Sequence, residues 1–157
     1  MISRFLITTA LEKTWPDNPK TPSLFLGEWC RLYSRKERWS KMNAEVIPYH
    51  WDDRIKLYND YQSLSIIYEN TLKALQKQLN EIHGVDHSLR YWRILIGPWL
   101  GWFIQIVFDR WTMLKHAFEK YEISGCRLLV KDKIDLIPND MDEFNNLLFE
   151  DNWNEMI

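Results

Sequence analysis

Cysteine is scarce: the 157 residues hold two, Cys30 and Cys126, far apart and outside any CxxC spacing. That excludes a disulfide framework and a cysteine-based metal site, and fits reduced thiols in a reducing compartment. Glycine is equally sparse, at five residues. None falls in a GxxxxGK[ST] or GxGxxG pattern, so no familiar phosphate-cradling loop is encoded, and GxSxG and HExxH are missing too. Charge of either sign is not in excess, with Lys and Arg at 20 against Asp and Glu at 22. The net charge of −2 gives no electrostatic reason to expect nucleic acid as a partner. Long apolar runs are lacking as well. The best, Ile94 to Phe108, is interrupted by Gly97, Pro98, Gly101 and Gln105 and bracketed by Arg93, Asp109 and Arg110. It falls short of the ~20 residues that span a bilayer and reads instead as a helix buried on all sides. Phe5-Leu6-Ile7 is too short for a secretory signal, so the expectation is a cytoplasmic protein with no transmembrane segment, peripheral membrane contact remaining open.

What the chain does have is aromatic rings: 15% of residues, nine of them Trp. Such an excess suits a thick core or a cleft that stacks flat ligands. At this length one domain, residues 1–157, can bury an adequate core. Arg4 to Ala10 reads as a buried strand, followed by a loop marked by Pro16, Pro19 and Pro22. Ser23 to Gly27 is a second strand or a helix entry, Glu28 to Trp39 has helical spacing, and Glu45 to Pro48 is extended. A long amphipathic helix starts at Asp52 or Asp53, carries Leu57, Tyr61, Leu64, Tyr68, Leu72, Leu75, Leu79 and Ile82 on one stripe, and ends at Gly84. A second helical stretch runs from His87 or Ser88 to about Tyr121, with a kink or break required at Gly97-Pro98. Cys126 to Val130 returns to strand character, and Asp140 caps a helix reaching Phe149. The order is strand, loop, helical insertion, strand, helix, so the fold class expected is α/β and helix-rich.

Three clusters carry chemistry. His50-Trp51-Asp52-Asp53-Arg54 places an imidazole, two carboxylates and a guanidinium at a helix start, where they could bind a ligand or supply a base. The competing reading is a helix cap. His87-Ser88-Leu89-Arg90-Tyr91-Trp92-Arg93 interleaves guanidiniums with aromatics, which suits a phosphate or ring ligand, or packing with two solvated arginines. Glu28 follows Gly27 at a strand end, a common place for functional side chains in α/β enzymes. His83 and His87 straddle Gly84, which disfavours a shared metal ion, and no metal site is expected.

Leu24 to Ser34, Pro48 to Arg54, Glu81 to Ile94 and Gly97-Pro98-Trp99-Leu100 together resemble a family of transferases from bacterial O-antigen and other surface-polysaccharide gene clusters. The resemblance implies a partial Rossmann-like fold, the N-terminal half of a glycosyltransferase-like enzyme with a long helical insertion. It implies a sugar or lipid-linked saccharide as acceptor, and a nucleotide-sugar donor held by a C-terminal half or second chain, with no cofactor in this chain. Glu28, His50 and Asp52 become catalytic candidates, and Asp53, His87, Arg90, Trp92 and Arg93 substrate-binding ones. The alternative is a non-catalytic helical protein-interaction domain, which an exposed apolar face on Tyr61, Leu64 and Tyr68 would favour. A metal-dependent hydrolase is a third reading.

Overall fold

The computed structural model describes residues 2–129 and 138–155. The chain divides into two compact units, residues 1–49 with 110–157, and residues 50–109. It is an α/β protein rich in helix.

The first unit is built on four strands, β1 (Arg4–Ile7), β2 (Ser23–Phe25), β3 (Ala44–Val46) and β4 (Ile123–Cys126). All pair in parallel, in the order β3-β2-β1-β4. Every residue of β2 is buried. That accords with Leu24-Phe25-Leu26 being a continuous apolar run, since parallel strands are covered on both faces. Leu6, Ile7, Leu24, Phe25 and Ile47 pack with Trp15, Cys30, Met113 and Ala117 in one core. Each large side chain so buried contributes about 1.5–3 kcal/mol. Trp15 meets Phe25 edge to face at 5.6 Å, and its indole donates to the Thr9 carbonyl at 3.1 Å, so its polar atom is satisfied in the core. Burial pushes the Cys30 thiol up to about 12, which keeps it protonated and inert.

The expected helix over Glu28 to Trp39 is instead a series of short turns, Glu28–Cys30, Tyr33–Arg35 and α1 (Lys36–Trp39). Helical spacing lost to long-range bonds. Leu32 is extended, with ψ 137°, its carbonyl takes the Trp39 indole at 2.9 Å, and Trp29 reaches away to donate to Thr8 O at 3.3 Å. Gly27 is needed here because the Trp29 ring lies where a Cβ would stand. The last strand starts earlier than expected, because β4 pairs Ile123 with Arg4 and Cys126 with Leu6; Val130 lies outside the described residues. Helices α4 (Met141–Leu147) and α5 (Asp151–Asn154) close the unit, with Asp140 capping α4 through Glu143 N–H.

The second unit is a helical hairpin. Helix α2 (Arg54–His83) is about 45 Å long at 1.5 Å per residue. Asp53 caps it, accepting from the N–H groups of Ile55 and Lys56 at 2.9 and 3.1 Å. Gly84 ends it in the left-handed conformation, φ 63°, which costs glycine little and other residues more. Helix α3 (Leu89–Lys120) follows, with Ser88 Oγ accepting from Tyr91 N–H at 3.3 Å. Asn80 fastens the reversal. Its amide oxygen accepts from His87 N–H at 3.2 Å and from the Trp92 indole at 2.8 Å, while its Nδ2 donates to His87 O at 3.0 Å. Leu72, Trp92 and Leu100 form the buried centre of the hairpin.

One expectation for α3 is narrowed and one corrected. Of the kink or break expected at Gly97-Pro98, no break occurs, and the helix continues through Pro98. Pro98 lacks the N–H that would bond Ile94 O, but both residues are exposed, so water can serve the released carbonyl. The run Ile94 to Phe108 is also not buried on all sides. Ile94, Leu95 and Trp102 are 71%, 60% and 55% exposed while Leu100 is 3% exposed. A two-helix contact covers one stripe, and this run has more apolar residues than that stripe holds. Pro98→Ala should therefore restore one backbone bond at no packing cost. The expected outcome is a gain of up to about 3 kcal/mol in urea unfolding; a loss of stability would show that the ring itself holds the helix in place.

Candidate functional site

Facing residues of α2 and α3 leave a cavity of about 450 Å³ within the hairpin. Its walls are Trp51, Tyr61, Tyr68 and Trp102, and Ser65, Glu69 and Gln105 supply polar groups. Helical spacing explains the grouping. Tyr61, Ser65, Tyr68 and Glu69 recur every three or four residues on α2, as do Gly97, Gly101 and Gln105 on α3. A Cβ at Gly97 would press within 2.6 Å of the Tyr68 hydroxyl, so the glycine leaves the ring room to lie against α3. Glu69 is fixed by two bonds from Arg93, 2.6 Å from Nη1 and 2.7 Å from Nη2, and the guanidinium lies 5.8 Å from the Tyr68 ring centroid. Arg93 holds the Glu69 carboxyl below its ordinary range, and Glu69 in turn raises Arg93. The carboxylate is thus an ionised acceptor held in position, suited to grip hydroxyl groups rather than to take protons.

One end of this cavity meets a polar cluster. His50 is buried, and its Nε2 lies 2.9 Å from Asp109 Oδ1. Asp60 Oδ2 stands 4.0 Å from Nδ1, takes the Trp51 indole at 2.9 Å, and pairs with Lys56. Burial alone would raise Asp60, but the bonds from Lys56 and Trp51 and the charges of Lys56 and His50 outweigh it and hold the carboxyl below its ordinary value. Trp51 stacks between this cluster and Phe108, 4.6 Å from His50 and 6.2 Å from Phe108, and so carries the rigidity of the cluster to the cavity wall.

The sequence-derived candidates are spread out. His50 is buried in its cluster, Asp53 caps α2, and Asp52 is exposed beside it. Trp92 and His87 sit at the far end of the hairpin, bonded to Asn80. His87 stacks on Tyr91 at 4.0 Å and Arg90 is exposed. Since α2 separates the two ends by about 45 Å, His50 and Arg90 do not share one cleft. Glu28 belongs to the other unit, where Arg31 takes its carboxylate at 2.6 Å. Arg93 alone of these residues grips a group that lines the cavity. No grouping of His, Cys, Asp and Glu suited to a metal ion occurs among the described residues, and no helix among them is long and apolar enough to cross a membrane. Sequence reading missed Glu69, Trp102, Gln105, Asp60 and Asp109. Glu69 and Gln105 carried a readable signal, as polar residues on otherwise apolar helical stripes; Asp60 and Asp109 acquire meaning only when the fold brings His50 between them.

A parallel sheet and a helical hairpin that carries an aromatic cavity with a fixed carboxylate define a helix-rich α/β protein. The family model for the LIC12162 family transferase matches residues 4–157, and the chain belongs to that family. Neither among curated proteins nor among solved structures does any match the chain.

The Asp60 cluster gives a pH signature. A carboxyl depressed in the folded state stabilises the fold above its unfolded pKa of about 4, and that contribution fades as the pH falls through the folded value. Urea unfolding from pH 6 down to about pH 2 should show the wild type losing stability more steeply than Asp60→Asn. Parallel curves would mean that Asp60 has no special role.

Proposed function

We propose that this chain forms the acceptor side of a glycosyltransferase-like enzyme of surface-polysaccharide synthesis, with the hairpin cavity receiving the sugar of a free or lipid-linked acceptor. The observation that carries the reading is the cavity lined by Trp51, Tyr61, Tyr68 and Trp102 with the Glu69 carboxylate fixed by Arg93. Sugars present apolar C–H faces flanked by hydroxyls, so they pair naturally with aromatic walls and an anchored acceptor. Membership of a transferase family supplies the reaction class. The strand order β3-β2-β1-β4 supports a Rossmann-type half, because doubly wound sheets begin in that order. The nucleotide-sugar donor then belongs to a further domain or a second chain, and the setting is the cytoplasm. Glu28, His50 and Asp52 remain candidates for the base, to be completed by the donor-bearing half.

A docking role gains little from the face on Tyr61, Leu64 and Tyr68, where Tyr61 is exposed but Leu64 is buried and Tyr68 half-buried; it draws instead on the exposed stripe of Tyr91, Ile94, Leu95 and Trp102. The two readings separate on Glu69, which matters to a sugar and not to an apolar partner.

Calorimetric titration of the chain with methyl glycosides of common hexoses and N-acetylhexosamines tests the acceptor reading. Binding is expected, weakened about tenfold by Trp102→Ala and at least tenfold by Glu69→Gln, the sizes of one aromatic contact and one charge-assisted hydrogen bond. Nucleotide sugars alone should be left unhydrolysed. Absence of saccharide binding, or binding indifferent to both substitutions, would count against the proposal.

A further inference from the structure

The carboxyl edge of the sheet carries a second cavity, separate from the hairpin and independent of the acceptor reading. Its volume is about 930 Å³. The strand order places it. From β1 the chain moves outward through β2 and β3 on one side and returns to β4 on the other, so the order reverses between β1 and β4. In open parallel sheets the crevice beyond the strand ends at such a reversal is where ligands bind. The segments that line this cavity leave from those two strands: Leu11 to Asp17 after β1, and Arg127 to Leu129 after β4.

Its lining is mainly cationic. Lys13, Arg35, Arg38 and Arg127 line it with the carboxylates Glu12 and Asp17. Arg35 is already paired with the half-buried Asp151, so Lys13, Arg38 and Arg127 are the cations left to a ligand, in a chain whose overall charge is slightly negative. Those carboxylates are open to competition. Arg38 bonds Glu12 at 2.8 Å with side chains 47% and 35% exposed, and Arg127 bonds Asp17 through two nitrogens, at 3.2 and 3.0 Å, with Asp17 88% exposed. Solvent and salt screen such pairs, so a more highly charged ligand can displace them. The guanidiniums themselves are held by other contacts. Arg127 also donates to the carbonyls of Lys13 and Trp15, Arg35 to that of Ala10, and Arg38 lies 5.5 Å from the Trp15 ring centroid. They therefore stay in place when a carboxylate leaves.

We infer that this cleft binds a phosphorylated ligand, with phosphoryl oxygens replacing Glu12 and Asp17 on Arg38 and Arg127 and with Lys13 adding a third cation. Phosphate matches guanidinium forks in shape and exceeds a carboxylate in charge. It requires no glycine-rich loop, which the sequence lacks.

Calorimetric titration of the whole chain with inorganic pyrophosphate at low ionic strength is the test, with potassium chloride of equal ionic strength as the control. One-site binding is expected, with affinity falling about tenfold in Arg38→Gln and several-fold in Lys13→Gln. Lys13 is exposed, so Lys13→Gln should keep the wild-type melting temperature and separates lost binding from lost folding. Sedimentation with phosphatidylcholine vesicles, with and without phosphatidic acid, identifies the source of the phosphate. Vesicle binding that needs phosphatidic acid and is lost in Lys13→Gln and Arg38→Gln assigns a lipid headgroup, and pyrophosphate binding without it assigns a soluble ligand. No heat with pyrophosphate and no vesicle binding, or binding unchanged in both variants, overturns the inference. Sugar binding in the hairpin is unaffected either way.

Discussion

The hairpin depends on one side chain amide. Asn80, in the last turns of α2, accepts from His87 N–H and the Trp92 indole and donates to His87 O, so both of its ends are used across the reversal. A half-buried amide with such partners fixes register, because a shift by one residue would strand several polar atoms at once. Gln76 adds a further bond to His87 O at 3.0 Å. With Trp92 pinned, Leu100 meets the core one face further along α3, Gly97 falls against Tyr68, and Arg93 reaches Glu69. The cavity follows from that register, since Gly97 and Gly101 of α3 both face Tyr68 of α2.

The other end of the hairpin is fixed by charge. His50 sits between Asp109 and Asp60, and Trp51 joins Asp60 through its indole. Few groups tolerate such burial unless they are paired, and the pairing here locks Trp51 as the end wall of the cavity. His50 and Asp109 thus bear on the cavity through the position of Trp51. That explains how a titratable cluster can matter to a site it does not touch.

Much of this was legible in the sequence, and the parts that were not share a cause. The amphipathic stripe from Leu57 to Ile82, the cap at Asp53 and the left-handed Gly84 were readable because each is a local property of a helix. So was β1, from a short apolar run, while Ser23 to Gly27 reads as either a strand or a helix entry and forms β2. The segment from Glu28 to Trp39 was misleading, because its helical spacing yields to bonds from Trp29 and Trp39 to backbone carbonyls that the fold brings near. At Pro98 a kink or a break is expected, and the helix is not broken because the lost hydrogen bond lies at an exposed position. Of the candidate site, Arg93 could be named but not its partner, and Glu69 is 24 residues away across a turn whose register Asn80 sets. The resemblance makes both His50 and Arg90 site candidates, whereas α2 holds them at its opposite ends.

The claim that ties these points together is that the register set by Asn80 shapes a sugar-binding cavity. A crystal structure of the chain grown with a saturating methyl glycoside tests it most directly. The account predicts a pyranose ring lying against Trp102 or Tyr68 with a hydroxyl hydrogen-bonded to Glu69, whose carboxylate stays bridged to Arg93. A ring bound elsewhere, or a hairpin cavity left empty while a glycoside is bound in solution, would contradict it.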